Sequence, residues 1–164
     1  MTNKSYTATI EVAQSAEEVF TDINDVTKWW SKDFQGNSTK PDDEFIINHP
    51  NQHYSKQKVI EFIPGKKVVW LVIESKLNWL KNNKQEWTNT KMIFDITTKG
   101  DKTVLHFTHE GLDAEKECYA MCEKGWNIYK GLALSPYHNW YAIRRNGQRN
   151  RNKKRHLERS NKNG

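Results

Sequence analysis

The sequence predicts an α+β fold: a run of antiparallel strands closed by a long helix, with two short helices after the first strand. Three observations predict it. Period-two alternation rich in β-branched residues recurs from Tyr6 to His109, broken by turn signals. The period changes to helical from Ala114, where Cys118, Met121, Cys122, Gly125, Trp126, Tyr129 and Leu132 follow at three- and four-residue steps. Between the first strand and the rest sits a helix-start signal, Ser15 followed by Glu18.

Tyr6 to Val12 alternates and reads as a strand. The capping box at Ser15 opens a short helix with Val19, Phe20 and Ile23 on one face, and Asp25 or Thr27 starts a second short turn carrying Trp29 and Trp30. Lys40 to Asp43 is a loop, Glu44 to Asn48 a strand, and His49 to His53 a turn. Tyr54 to Phe62 and Lys67 to Glu74 are strands joined by the Pro64-Gly65 hairpin signal. Asn78 to Glu86 is a polar connection holding Trp79 and Leu80. Thr88 to Thr98 is a strand, Lys99 to Asp101 a tight turn, and Thr103 to His109 its partner. The count is five or six antiparallel strands, with no internal repeat. Asp113 is placed to cap the long helix.

At 164 residues the chain is long enough for one domain with a core. Hydrophobic residues make up only 35%, so the seven Trp, six Tyr and six Phe must carry the burial. The net charge of +6 is uneven. Residues 144–164 hold nine Lys/Arg against one acid, Glu158, leaving 17 cationic side chains against 19 acidic ones in residues 1–143. A nucleic-acid function argued from the whole-chain charge would therefore describe the tail alone. That tail, from residue 135, has too few apolar groups to pack and reads as disordered, with weak, salt-sensitive and nonspecific affinity for nucleic acid. No run of residues is apolar enough to span a bilayer, and the N-terminus lacks a signal-peptide core. Cys118 and Cys122, four apart on the apolar stripe, read as reduced, inert core thiols. These features point to the cytoplasm.

Four stretches, in this order and spacing, resemble the START-like (SRPBCC) superfamily, and within it the family named for the activator of the heat-shock-protein-90 ATPase. They are Ala16-Glu-Glu-Val-Phe20 with Val26-Thr-Lys-Trp-Trp30; Phe62-Ile-Pro-Gly-Lys-Lys-Val-Val-Trp70; Thr103-Val-Leu-His-Phe-Thr-His-Glu-Gly-Leu112; and Gly125-Trp126. Together they cover residues 5–134. The resemblance implies a helix-grip fold, a curved antiparallel sheet wrapped around the long helix, with a cavity between them for an apolar ligand. It divides the chain into a domain over 1–134 and the tail over 135–164. Ser135-Pro136 interrupts the expected helix. That break raises the hypothesis that the tail is not native family sequence but the product of a frameshift or vector read-through.

Strand parity places Leu105, Phe107 and His109 on one face, and Val104, His106 and Thr108 on the other. His109 thus points toward the helix. It is read either as a polar anchor for a ligand or a proton donor, or as a histidine hydrogen-bonded to backbone where strand becomes helix. His106 and His109 cannot chelate one metal from opposite faces, and His49 and His53 lack two further zinc ligands, so no metal site is expected. No nucleophile–base order and no phosphate loop appear, so no catalytic residue and no cofactor is assigned. Trp29, Trp30, Trp70, Trp87, Met92, Phe94 and Trp126 are candidate cavity walls, and rings of this size also fill space. The expected ligand-lining set is Trp30, Trp70, Met92, Phe94, Phe107, His109, Trp126 and Tyr129. The expected function is non-catalytic binding of a small apolar, aromatic or lipid-like molecule by a monomer or dimer. The alternatives are a chaperone-interacting module, a cyclase-type enzyme, and nonspecific nucleic-acid binding by the tail.

Overall fold

A computed structural model describes residues 5–124 and 126. Nine elements follow in order: β1 (Ser5–Val12), α1 (Ala16–Asn24), α2 (Val26–Trp29), β2 (Phe34–Gly36), β3 (Glu44–His49), β4 (His53–Ile63), β5 (Lys67–Leu77), β6 (Lys91–Lys99) and β7 (Lys102–Glu110). Residues 119–124 and Trp126 belong to a closing helix. The strands form one antiparallel sheet in the order β1-β7-β6-β5-β4-β3-β2. Strands β2 to β7 are a meander, because short turns let each strand fold back on the last. The crossover through α1 and α2 brings β1 to the far edge, where Tyr6 pairs with His109 and Ala8 with Phe107.

Local chemistry sets these elements. Ser15 is extended at φ −66°, ψ 160°, and its Oγ accepts the Glu18 N–H at 3.2 Å, satisfying one of the helix's unpaired donors. Helix α1 then buries Val19, Phe20 and Ile23 against the sheet. Helix α2 delivers Trp29 and Trp30, both buried, and the Trp29 Nε1–H donates to the Ile23 carbonyl at 3.0 Å. The register of β4 with β5 shifts between Lys56 and Gln57 and again between Val59 and Glu61. Such bulges bend and twist a strand pair, and here they curve the two longest strands over the core.

The sequence reading differs from this structure at four points. The three-residue strand β2 carries too few residues to show alternation. Strand β6 starts at Lys91, not Thr88, because residues 85–90 form turns: Thr88 N–H bonds to Gln85 O, Thr90 N–H bonds to Trp87 O, and Asn89 has φ +70°. The closing helix begins at residue 119 rather than 114, since residues 114–118 are turns. Asp113 caps only that turn, accepting the Glu115 N–H at 2.9 Å. The expected run of the helix to Leu134, the side chain of Tyr129 and the basic tail lie outside the described residues. Among those described, no helix is long and apolar enough to cross a membrane.

Gly36 ends β2 with φ +102°, and a Cβ there would stand 2.2 Å from the backbone oxygen of Glu44. Gly65 is also left-handed, at φ +72°, but its nearest neighbour would be a Glu17 side-chain carbon at 3.9 Å. Gly36→Ala should therefore cost roughly 2–3 kcal/mol, and Gly65→Ala about 1 kcal/mol. Urea denaturation of the two variants measures this, and equal costs would remove the steric part of the account.

Candidate functional site

The inward positions of β5, β6 and β7 carry Trp70, Met92, Phe94, Phe107 and His109, all buried. Facing them are Trp29 and Trp30 from α2 and Trp126 from the closing helix. The planes of Trp30 and Trp70 lie 9° apart with centroids at 6.3 Å, and Trp29 lies 12° from Trp70. Phe94 meets Trp70 edge-on at 4.8 Å, and Phe107 meets Trp126 at 4.8 Å. Stacked and edge-to-face rings add to the burial each already supplies. This layer lies between the sheet and the described part of the closing helix.

A pocket of about 450 Å³ remains at one end of the layer. Helix α2 contributes Trp30 to its wall, and the β3–β4 hairpin contributes His49, Gln52 and His53. The β5–β6 connection contributes Trp79 and Trp87, and the closing helix Met121, Cys122 and Trp126. Of the expected lining residues, Trp30 and Trp126 reach this wall. Trp70, Met92, Phe94, Phe107 and His109 pack in the layer behind it. Another recess, of about 530 Å³, lies between α1 and β2, where Phe20, Phe34 and Phe62 stand beside Thr21, Asn37, Ser38 and Thr39; no tryptophan or histidine lines it.

His109 is fully buried, with both ring nitrogens engaged. The Trp126 Nε1–H donates to Nδ1 at 3.0 Å, so Nδ1 is unprotonated and the ring proton sits on Nε2. Nε2–H then donates to Thr90 Oγ1 at 2.8 Å, and the Thr90 hydroxyl donates to the Trp87 carbonyl. Burial, then Lys116 and His53, lower the pKa to about 3. His106, on the other face, bonds Thr9 on β1 at 2.8 Å. Among the described residues no three His, Cys, Asp or Glu side chains come together to hold a metal ion.

His53 is half-buried in the pocket wall, edge-on to Trp87 at 4.8 Å and to Trp30 at 6.1 Å. Its Nε2 lies 2.7 Å from Ser55 Oγ. Loss of hydration, then the neighbouring His49, lower its pKa to about 3 as well, so the ring is neutral at pH 7.

Two carboxylates lock the pocket's loop to its helix. Glu86 accepts the N–H groups of Glu117 and Cys118 at 3.1 and 3.0 Å, and Glu117 accepts those of Lys81 and Asn82 at 2.6 and 3.1 Å. The helix start is thus held by Glu86, from across the pocket, and not by Asp113. The backbone N–H of Lys81 holds the Glu117 carboxyl below its ordinary range. Both cysteines are free. The Cys118 thiol, donating to Cys122, is pushed well above its usual pKa. Cys122 is pulled down by that bond and by the Trp87 Nε1–H at 3.3 Å, which differs from the inert thiol that an apolar stripe predicts.

Sequence reasoning placed Trp30, Trp87 and Trp126 among the walls but passed over Gln52, Trp79 and Met121, and weighed His49 and His53 only as zinc ligands. One signal was available. His53, Ser55, Gln57 and Val59 share a face of β4 by parity, and that face is turned inward despite three polar members. Met121, expected within the helix's apolar stripe, is 59% exposed at the pocket wall.

His109→Phe should cost about 1–3 kcal/mol, because the buried Trp126 N–H would lose its acceptor. Both histidines have folded pKa values below the unfolded one. Stability is therefore complete above about pH 6.5 and falls as pH drops, by up to about 1.4 kcal/mol per pH unit for each histidine. Urea unfolding at pH 7.5, 6 and 5 should show this loss, with a shallower slope in His109→Phe. An unchanged slope would contradict burial as the cause.

Solved structures share the architecture. The Aha1 dimer from Colwellia psychrerythraea aligns with a TM-score of 0.63 at 21% identity, covering 77% of this chain and 90% of that one. A protein of Mesorhizobium loti gives 0.62 at 15% identity over 79% and 93%. CalU16 from Micromonospora echinospora gives 0.55 at 14% over 81% and 77%. At these identities the likeness is one of fold. No curated protein sequence matches the chain. The model of the family described as activator of Hsp90 ATPase homolog 1-like protein matches residues 18–133, well over half the chain, and the protein belongs to that family.

Proposed function

We propose that the protein binds a small planar apolar molecule, non-catalytically, in the pocket between the β3–β4 hairpin, the β5–β6 connection and the closing helix. The observation that carries this reading is the pocket wall itself. Trp30, Trp79, Trp87 and Trp126 surround about 450 Å³ together with a neutral histidine, His53. Flat indole faces favour a flat occupant, whose affinity comes from apolar burial and whose orientation comes from a small number of polar groups. Trp87 and Trp126 stand only 10° from parallel at 5.9 Å, so this part of the wall is already ordered before a ligand arrives. The unpaired, buried cysteines support a cytoplasmic setting.

A second reading, docking to a chaperone, draws on the family and on Ile60 and Ile63, each 41% exposed on β4. It predicts that Ile60→Lys with Ile63→Lys abolishes chaperone pull-down. Retention by the double variant would count against that surface.

For the pocket, calorimetry with 2-ethylnaphthalene should show one site. Trp79 is 40% exposed, so Trp79→Ala should leave the melting temperature nearly unchanged and weaken binding several-fold, in line with the roughly 0.5–1.5 kcal/mol of an aromatic contact. Failure of that probe and of a mixed lipid and aromatic library to bind would sink the reading.

A further inference from the structure

The inward face of β4 continues the pocket's chemistry into the core. Behind His53 stand Ser55 and Gln57, both wholly buried. The Gln57 Nε2–H donates to Ser55 Oγ, and Ser55 Oγ lies 2.7 Å from His53 Nε2. A hydroxyl has one proton to give. Its oxygen could accept from Gln57 and His53 together, but the buried Ser55 proton would then have no acceptor among the described residues; given to His53 Nε2 it is satisfied, which makes Nε2 the acceptor and leaves the ring proton on Nδ1.

The direction of this relay rests on the orientation of the Gln57 amide, which its surroundings decide. Gln57 Oε1 is buried without a hydrogen-bond partner among the described residues, and so is the indole N–H of Trp70. Gln57 pairs with Val72 and Val59 with Trp70, so Gln57 and Trp70 are diagonal neighbours on one face. The two groups do not bond each other, but a reversed amide would leave a buried donor unmet in place of the acceptor, on the face that already carries the unmet Trp70 N–H, the costlier arrangement.

We propose that the pocket selects planar aromatic molecules bearing a hydrogen-bond acceptor, such as an aryl ketone, and that His53 Nδ1–H, its tautomer fixed by Ser55 and Gln57, is the donor that receives it. The proposal rests on the pocket reading above. Of the tryptophan donors in the wall, the Trp87 N–H goes to Cys122 and the Trp126 N–H to His109. His53, in contrast, bonds through Nε2 alone among the described residues and sits in the pocket wall. A neutral donor in a ring-lined wall favours an uncharged acceptor and offers nothing to a cation.

The test compares 2-acetylnaphthalene with 2-ethylnaphthalene, nearly the same shape with and without the carbonyl oxygen, by calorimetry on the full chain. The ketone should bind roughly five- to tenfold tighter, and His53→Phe or Ser55→Ala should reduce that preference to near one. Long-range proton–nitrogen NMR of the unliganded protein should show His53 protonated at Nδ1, which keeps the test decisive even where a variant fails to fold. Equal affinities in the wild type, a preference that survives His53→Phe, or a proton found on Nε2 would each overturn the inference while the pocket reading stands. Binding of neither compound would overturn both.

Discussion

One chain of hydrogen bonds organises the interior. It runs from the Trp126 indole through the His109 ring to the Thr90 hydroxyl and on to the Trp87 carbonyl. It joins the closing helix, the last strand and the connection before β6. Each donor in it has one acceptor, and the directions fix the tautomer of His109. A buried network of this kind is worth having only when every member is satisfied. Protonating His109 would turn Nδ1 into a donor facing the Trp126 N–H, so the low pKa and the packing have the same cause. Gly111 belongs to the same arrangement: with φ +92° it turns the chain out of β7, and a Cβ there would approach Thr90 Cγ2 to 3.0 Å.

Around that chain the tryptophans decide how much space is left. A curved sheet under a helix can enclose a large cavity. Here Trp29, Trp30 and Trp70 stack in the middle of the layer. What remains is a pocket at the end of the layer, where the β3–β4 hairpin and the β5–β6 connection stand apart. The site is therefore built from loop and hairpin residues set against a rigid aromatic floor, the usual division of labour between scaffold and function.

The loop that forms half the pocket is held by the reciprocal Glu86 and Glu117 contacts. Each carboxylate takes two backbone N–H groups that would otherwise need water, and the two lie on opposite segments. The Glu117 pair is exposed, so its benefit is geometric more than energetic. It fixes Trp87 and, through the Trp87 N–H, the Cys122 sulfur. The same few contacts therefore position three groups of the wall.

The sequence by itself determined the α+β class, the meander of strands, the capped helix α1 and the facing of Leu105, Phe107 and His109. All of these rest on local periodicity, which follows from the pitch of helices and the pleat of strands. It also separated the basic tail from the rest of the charge. It did not determine what the buried groups would touch. The partners of His109 are Thr90 and Trp126, 19 and 17 residues away, and Glu86 reaches N–H groups more than 30 residues on. The run His53, Ser55, Gln57 is polar, and polarity is the ordinary sign of a solvent face. Only the tertiary structure decided that it turns inward. The bulged pairing of β4 with β5 curves that face over the tryptophans, and a hydrogen-bond relay makes burying it affordable.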